Sequence, residues 1–328
     1  MKSVLRIEDL KVYYKTEKGL VRAVDGVSID LCERESLGIV GESGCGKTTM
    51  GYALLRILPS NAVLEGSIKL NGLDLSSLDQ KQMEKVRGAK ISMIFQDPMT
   101  SLNPVMKVRD HFIETIQTHK PEISEEEAER MTANMLRAVG IEPTRMNEYP
   151  FQFSGGMRQR VMIALSLVLN PVVVIADEPT TSLDVIVQAQ ILDLLKSLRE
   201  KFNMSLILIT HDLGVVAELA DRVGVMYAGH LVEIGESRDI YYSPKHPYTE
   251  ALLKSIPNTN IEDKELVYIP GGPPDLADPP KGCRFEPRCP KAMPICSRKE
   301  PGVYQVGRTS VKCWLYGEES HVSASKGQ

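Results

Sequence analysis

Short runs of apolar residues recur through the first 235 residues of the chain, and polar or glycine-containing segments separate them. These runs lie at residues 37–40, 91–95, 172–176, 206–209 and 223–227. Continuous apolar runs of this length are typical of strands that are covered on both faces. Within residues 187–202, apolar side chains instead recur at helical spacing, at Ile191, Leu194, Leu195, Leu198 and Phe202. The alternation predicts an α/β fold built around a largely parallel sheet.

Residues 98–165 interrupt this alternation. An acidic run at residues 122–129 precedes apolar residues at helical spacing, and no strand pattern is evident. We predict that this stretch is a helical subdomain inserted into the α/β domain.

The composition changes again near residue 257. Ten of the 20 prolines lie between Pro257 and Pro301, and four of the six cysteines lie after residue 282. Neither the strand pattern nor the helix pattern continues there. We therefore predict a main domain over residues 1–256 and a small, loop-rich C-terminal module, rich in proline and cysteine, over residues 257–328.

The composition excludes several classes of protein. The 328-residue chain is 42% hydrophobic and 25% charged, as is usual for a soluble globular protein. Its longest apolar stretch is much shorter than the ~20 residues that span a bilayer. The first ten residues alternate charged and apolar side chains, without the apolar core of a signal peptide, so we expect a cytoplasmic protein. The formal net charge of -4 gives no indication of nucleic-acid binding.

One segment matches a phosphate-binding motif in full. Residues 41–48 read Gly-Glu-Ser-Gly-Cys-Gly-Lys-Thr, which fits G-x-x-x-x-G-K-[ST], and they follow a predicted strand and precede a helical stretch. The glycines let successive backbone N–H groups face a phosphate, and the helix N-terminus adds partial positive charge. Lys47 is expected to reach the β- and γ-phosphates and Thr48 to ligate Mg²⁺. Cys45 is expected to be a packed, unreactive thiol.

Two adjacent acidic residues, Asp177 and Glu178, follow the apolar run at 172–176. A buried strand that ends in two acidic residues is the Walker B pattern. Asp177 is expected to bind Mg²⁺ directly or through water, and Glu178 to orient and polarise the attacking water.

Further motifs resemble those of one family. Residues 153–159, Phe-Ser-Gly-Gly-Met-Arg-Gln, resemble the LSGGQ signature of ABC-transporter ATPases, with Phe for Leu and Met for Gln. Gln96 resembles the Q-loop glutamine, residues 182–184 resemble the D-loop, and His211 resembles the switch histidine. The resemblance covers about residues 4–255 and implies the P-loop fold of the ABC ATPase domain.

The resemblance also implies roles for individual residues. Tyr14 would stack on adenine. Gln96 and His211 would act beside Glu178 in hydrolysis, and Gln96 would also contact Mg²⁺. The ATP-binding set that the resemblance implies comprises Tyr14, Gly41, Ser43, Gly44, Cys45, Gly46, Lys47, Thr48, Thr49, Ser154, Gly155 and Gly156.

Several partners follow from the same resemblance. Ser154 of one ATPase subunit would face the ATP γ-phosphate held by Lys47 of a second subunit, identical or paralogous, in a head-to-tail pair. Two membrane permease subunits would dock on the helical insertion, which would place the chain at the cytoplasmic face of the membrane as a peripheral protein. An extracytoplasmic substrate-binding protein would select the solute.

The C-terminal part narrows the resemblance. Residues 246–253, 269–276, 282–285 and 288–290 resemble segments of the ATPases of dipeptide and oligopeptide importers. Nickel importers share much of this module, so the residues leave peptides and nickel open as solutes. A non-transport ABC ATPase is an alternative, but a single P-loop and the absence of a long heptad repeat argue against it. A redox-sensing iron–sulfur protein is a further alternative, which the complete ATPase motif set opposes.

The four late cysteines have the spacing C-x5-C-x6-C-x16-C, at Cys283, Cys289, Cys296 and Cys313. Stable disulfides are disfavoured in a cytosolic chain, and the short cysteine knuckles of zinc sites are absent. The Cys289-Pro290 pair resembles iron–sulfur ligation, and some peptide-importer ATPases are understood to carry a [4Fe–4S] cluster on such cysteines. The residues leave a cluster, zinc and free structural thiols open, and the resemblance favours the cluster.

Overall fold

The structure is a computed structural model that describes residues 2–17, 19–97, 101–255 and 269–317. The chain divides into two compact units. The first unit contains Met1–Leu5, Asp30–Ser36 and Lys69–Ile209. The second contains Arg6–Ile29, Leu37–Ile68 and Thr210–Gln328. The boundary predicted between residues 256 and 257 lies outside the described residues.

The described residues contain strands and helices in alternation. The strands are β1 (Ser3–Thr16), β2 (Gly19–Cys32), β3 (Ser36–Val40), β4 (Ala62–Leu70), β5 (Leu73–Asp74), β6 (Ile91–Ile94), β7 (Val173–Asp177), β8 (Ser205–Ile209), β9 (Arg222–Tyr227), β10 (His230–Glu236), β11 (Tyr304–Val306) and β12 (Thr309–Val311). The α-helices are α1 (Lys47–Leu55), α2 (Gln80–Val86), α3 (Val108–His119), α4 (Glu125–Ala138), α5 (Gly155–Leu167), α6 (Val185–Phe202), α7 (Leu213–Leu219), α8 (Ser237–Tyr242) and α9 (Pro247–Lys254). Short 3₁₀ turns include Glu286–Arg288 and Trp314–Tyr316.

Three parallel strands form the core of the first unit. β7 lies between β6 and β8, with Val173 opposite Ile91 on one side and opposite Ser205 on the other. Every residue of these three strands is buried. The apolar runs therefore form buried parallel strands, as the sequence predicts.

The region between β6 and β7 is helical. α3 packs against α4, and both helices contact α5. α4 begins after Ser124, whose hydroxyl accepts the N–H of Glu127 at 3.3 Å, and its first turn carries three glutamates. Negative charge at this end stabilises a helix through the helix dipole. The acidic run thus marks the N-terminus of a helix within the predicted insertion; residues 98–100 lie outside the described residues.

The second unit contains most of three long strands that the sequence analysis did not predict. β2, β1 and β4 lie side by side in that order. In β1, Ile7, Leu10 and Val12 are buried while their neighbours are more exposed. A strand with one covered face needs only this partial alternation, which is a weaker signal than a continuous apolar run.

A second set of strands in this unit leads to the phosphate-binding segment. β3 pairs in parallel with β9, and β10 pairs antiparallel with β9. β12 pairs with β10, and β11 with β12, both antiparallel. The sequence predicted only loops in the C-terminal module, but the last described part of this module forms β11 and β12, and β12 extends the sheet beside β10. No helix of the described residues is both long enough and apolar enough to cross a membrane.

Candidate nucleotide-binding site

The P-loop connects β3 to α1 through three glycines with left-handed backbone. Gly41 has φ +152°, Gly44 +76° and Gly46 +105°. A Cβ atom at Gly41 would lie 2.1 Å from the carbonyl oxygen of Met226, and one at Gly46 would lie 2.1 Å from that of Ala23. Both positions therefore exclude every side chain, because real Cβ atoms do not approach a backbone oxygen so closely. Gly46 is the N-cap of α1 and brings no side chain to the amides of the first turn.

Lys47 places its ammonium group inside the loop. The residue is 6% exposed, and its Nζ donates to the carbonyl oxygens of Gly41 at 2.7 Å and Glu42 at 3.1 Å. These bonds hold the positive charge at the centre of the phosphate-binding segment. Contact of Lys47 with the β- and γ-phosphates stays a prediction.

Cys45 is packed within the same loop. Its side chain is buried, and burial raises the pKa of the thiol. The reactive thiolate is therefore disfavoured, in agreement with the prediction of an unreactive thiol.

Two adjacent tyrosines of β1 have different partners. The Tyr14 hydroxyl donates to the Oγ1 atom of Thr49 at 3.3 Å, next to the first turn of α1. The Tyr13 hydroxyl instead donates to the carboxylate of Asp25. Burial raises the pKa of Tyr13. Of the two tyrosines, Tyr14 is thus the one that contacts α1, and its stacking on adenine stays a prediction.

Glu178 follows β7 in a left-handed conformation, with φ +45°. Its Oε2 atom accepts hydrogen bonds from Nε2 of Gln96 at 3.1 Å and from the Thr181 hydroxyl at 2.9 Å. Its backbone N–H donates to the carbonyl of Ile209 at 2.8 Å. The structure therefore brings together Gln96 and Glu178, which the sequence places in separate motifs, and fixes the carboxylate from two sides.

Asp177 is the last residue of β7 and is 1% exposed. A carboxylate this deeply buried requires compensation by a charge or a ligand. Asp177 is therefore not a solvated strand end, and its binding of Mg²⁺ stays a prediction.

The signature segment forms the start of α5. Ser154 is the N-cap, and its hydroxyl accepts the N–H of Met157 at 3.3 Å. A Cβ atom at Gly156 would lie 2.6 Å from a methyl group of Val187, so the glycine lets α5 approach α6 closely. Ser154 is exposed. Its helix end can therefore receive an anion from outside the chain.

Asp184 lies directly before α6, and His211 lies two residues after the end of β8. Asp184, in the predicted D-loop, is the N-cap of α6 and accepts the N–H of Val187 at 3.0 Å. His211 is exposed. The preceding residue, Thr210, donates its N–H to Ile39 at 3.1 Å, in the strand that leads to the P-loop.

Two residues that position Glu178 and the P-loop, Thr181 and Tyr248, were not identified from the sequence. Thr181 bonds the Glu178 carboxylate, and its backbone N–H donates to the Glu178 carbonyl at 3.2 Å. Its position three residues after the acidic pair is a local signal that could have identified it. Tyr248 accepts the N–H of the P-loop residue Glu42 at 2.9 Å, but no local pattern marks a contact 206 residues away.

Comparison with known proteins agrees with these motifs. The ABC transporter family matches residues 24–181, and the oligopeptide/dipeptide transporter C-terminal region matches residues 232–296. The dipeptide transport ATP-binding protein DppD of Bacillus subtilis is 48% identical over 332 residues, which cover 100% of this chain and 99% of that protein. The chain belongs to the ABC transporter family. As an ABC ATPase, it is an ATP-binding and ATP-hydrolysing protein.

A further relative and a solved structure are also similar to this chain. The oligopeptide transport ATP-binding protein OppD of Salmonella typhimurium is 49% identical over 300 residues, 91% of this chain and 89% of that protein. A solved dimeric structure of an ATP-binding cassette in a post-hydrolysis state, bound to ADP and Pi, is similar with a TM-score of 0.64 and 28% identity. That likeness covers 71% of this chain and 99% of the other.

Mg²⁺ accompanies ATP in an ABC ATPase, and the predicted ligands of this chain have the right chemistry. Thr48 offers a hydroxyl oxygen and Asp177 a carboxylate, both hard donors that suit Mg²⁺. Because Nε2 of Gln96 donates to Glu178, the amide oxygen of Gln96 is the atom that could serve a cation.

The four late cysteines of this ABC ATPase are free cysteines within residues 283–313. The Cys283 N–H donates to the carbonyl of Cys296 at 2.7 Å. Burial raises the pKa of Cys283 to about 11 and that of Cys313 to about 12, and the neighbouring cysteines add to both shifts. In the part of the chain that the structure describes, no group of three or more His, Cys, Asp or Glu could hold a metal ion. The arrangement thus gives no support to a metal site, and the cluster stays a prediction.

Proposed function

We propose that this ABC ATPase is the subunit that binds and hydrolyses ATP to drive the import of dipeptides or oligopeptides through a membrane permease. One observation carries the proposal: the chain resembles named dipeptide and oligopeptide transport ATP-binding proteins from end to end, C-terminal region included. The ATPase motifs alone would fit any ABC transporter, so the C-terminal region is what selects the peptide group.

The chemistry follows from the residues of the motifs. The backbone amides of the P-loop and the Lys47 ammonium bind the β- and γ-phosphates. Glu178 holds the attacking water and takes up its proton as the water oxygen bonds the γ-phosphorus and the bond to ADP breaks. The hydrogen bonds from Gln96 and Thr181 orient the Glu178 carboxylate for this task. Thr48 and Asp177 would hold Mg²⁺, which supplies charge neutralisation of the phosphates. His211 would contact the γ-phosphate.

The proposed assembly is a head-to-tail pair of ATPase subunits on two membrane permease subunits. The exposed Ser154 at the start of α5 supports it, since this helix end can bind the γ-phosphate of ATP held by a second ATPase subunit. The permeases would place the chain at the cytoplasmic face of the membrane. An extracytoplasmic binding protein would deliver the peptide. The domain boundary near residue 257 and the individual site residues named above belong to this proposal.

Reconstitution tests the function directly. The chain should be purified with its permeases and second ATPase subunit, placed in proteoliposomes, and supplied with the binding protein. We expect labelled dipeptides or oligopeptides to accumulate with ATP hydrolysis and not with a non-hydrolysable ATP analogue. Transport of nickel instead of peptides would assign the chain to the nickel importers. Failure to associate with any membrane protein would indicate a non-transport ABC ATPase.

We further propose that Cys283, Cys289, Cys296 and Cys313 ligate a [4Fe–4S] cluster that stabilises the C-terminal module. Support comes from the spacing of the four cysteines and from the Cys289-Pro290 pair, which resembles iron–sulfur ligation. The module has few core residues, and ligation to a cluster would cross-link it.

The cluster has a simple test. Anaerobically purified chain should be brown and contain about four iron atoms, the stoichiometry of the cluster. Replacing any one of the four cysteines by Ser should bleach the protein, whereas Cys32→Ser should not. Colourless anaerobic protein that holds one zinc ion, or no metal, would contradict the cluster and leave the ATPase function standing.

A further inference from the structure

The C-terminal module reaches the P-loop through a buried arginine. The Arg288 side chain is 6% exposed. Its Nη1 and Nη2 atoms donate to the two carboxylate oxygens of Glu42, at 2.8 and 3.0 Å. The remaining donors bond the Tyr227 hydroxyl at 3.2 Å and the carbonyls of Pro270 and Ile269 at 2.9 and 3.2 Å. All five N–H donors of the guanidinium are thus used, and the side chain has one fixed position.

The partner of Arg288 is itself a P-loop residue. Glu42 directly follows the first glycine of the motif, and its backbone N–H donates to the Tyr248 hydroxyl at 2.9 Å. Tyr248 is buried, with its ring centroid 4.6 Å from that of Tyr227 and 5.3 Å from that of Phe285. The start of the P-loop is therefore held by side chain and by backbone, and the residues that hold it come from the last third of the chain.

A second arginine supports the other end of the loop. The buried Arg284 donates to the Ala228 carbonyl at 2.6 Å and pairs with Asp25. Gly229, which follows Ala228 in the chain, donates its N–H to the carbonyl of the P-loop residue Cys45 at 2.9 Å. The turn that Arg284 fixes is thus hydrogen-bonded to the loop just before Lys47.

We propose that Arg288 is a positioning residue of the nucleotide site, which keeps the P-loop in its phosphate-binding conformation by holding Glu42. An anion nest binds well only when its amides are already aligned. A loop that is ordered in only a fraction of the molecules binds proportionally more weakly. Arg288 touches no predicted phosphate ligand and acts through Glu42. The C-terminal module is in this way part of the nucleotide site, whichever solute is transported.

Bidentate geometry on a buried guanidinium sets this contact apart from two surface ion pairs of Glu250. Lys254 and Lys291 bond Glu250 with side chains that are 59% and 52% exposed. Such solvated ion pairs contribute little to the stability of the fold and are screened by salt. The Arg288 side chain is 6% exposed and that of Glu42 is 25% exposed. A guanidinium that bonds both oxygens of one carboxylate forms a stronger contact than a single hydrogen bond and fixes orientation as well as distance.

A double-mutant cycle tests the proposal on the full-length chain. We expect Arg288→Gln and Glu42→Gln each to weaken ATP binding by about 10-fold, a usual size for a contact that couples two sites. Turnover at saturating ATP should stay within about twofold, because the residues around Glu178 are untouched. The double variant should bind ATP no more weakly than the weaker single variant, because both changes remove one interaction. Arg288→Lys should recover part of the affinity.

Arg308→Gln is the matched control. Arg308 lies in the same module and pairs with Glu236 and Asp239, but its side chain is 67% exposed. This variant should bind ATP like the wild type. Thermal unfolding of all variants separates lost affinity from lost folding, and if Arg288→Gln does not fold, Glu42→Gln decides the question. Unchanged ATP affinity in Glu42→Gln, or additive losses in the double variant, would overturn the proposal.

A reciprocal measurement does not depend on substituting Arg288. Binding coupling is symmetric, so a nucleotide that stabilises the P-loop must also stabilise the residues that hold it. We expect the non-hydrolysable ATP analogue to slow amide hydrogen exchange in the segment 283–289 of the wild-type chain. The protection should be lost in Glu42→Gln at analogue concentrations that saturate this variant. Equal protection in both proteins would contradict coupling through this pair.

Discussion

Replacing Glu178 by Gln is expected to lower ATP turnover by about 10²–10⁴-fold, the usual contribution of a general base. Gln keeps the shape of the side chain but cannot take up a proton from the attacking water. ATP binding should survive, because Lys47 and the P-loop amides are unchanged. With its partner subunits present, the variant should accumulate as an ATP-bound head-to-tail pair. Steady-state phosphate release and ATP binding, measured on the same preparation, check both parts.

The control for this experiment is Glu218→Gln, at an exposed carboxylate of α7, which should hydrolyse ATP at the wild-type rate. Wild-type turnover in Glu178→Gln would contradict its role as base. The contacts of Glu178 make such an outcome informative. Its carboxylate already accepts two side-chain hydrogen bonds, so a purely structural role would show as lost stability with retained chemistry.

Replacing Lys47 by Ala is expected to weaken ATP binding by at least about 100-fold, within the range measured when one partner of a buried charge pair is truncated. The lysine is 6% exposed, and its charge lies within the predicted phosphate-binding segment. The variant also leaves the carbonyls of Gly41 and Glu42 without the ammonium group that they accept from. The thermal unfolding temperature should therefore be measured beside a nucleotide titration.

Lys81→Ala provides a matched control, because Lys81 is an exposed lysine on α2. It should bind ATP with wild-type affinity. If Lys47→Ala folds normally and still binds and turns over ATP like the wild type, the assignment of residues 41–48 as the phosphate site is wrong. Loss of binding together with loss of folding would require Lys47→Arg, which keeps the charge and the bonds to the loop carbonyls.

The sequence predicted the strands of the parallel sheet within one or two residues of where they lie. β7, for example, was predicted at residues 172–176 and lies at Val173–Asp177. A strand covered on both faces must be apolar at every position, so its signal is contained in the strand itself. The long β1 and β2 were missed for the opposite reason. Their exposed positions carry charged residues such as Arg6 and Glu8, and this dilutes the pattern.

The phosphate-binding motif, the acidic pair and the signature could likewise be read from the sequence. Each is a local structural motif. The first is a backbone turn that only glycine allows, the second a strand that ends in two carboxylates, and the third a helix that starts at a serine. Local steric and electrostatic rules dictate the residues at these positions. A short stretch of sequence therefore carries the whole signal.

Only the tertiary structure showed which of these motifs contact one another and which residues hold them in position. The hydrogen bond between Gln96 and Glu178 joins residues 82 positions apart, and the Arg288–Glu42 pair joins residues 246 positions apart. Nothing near Arg288 in the sequence shows that its side chain is buried. Long-range pairing also joined β12 to β10 where the sequence predicted loops. Such contacts depend on how distant strands and turns fold together, and that information is spread over the whole chain.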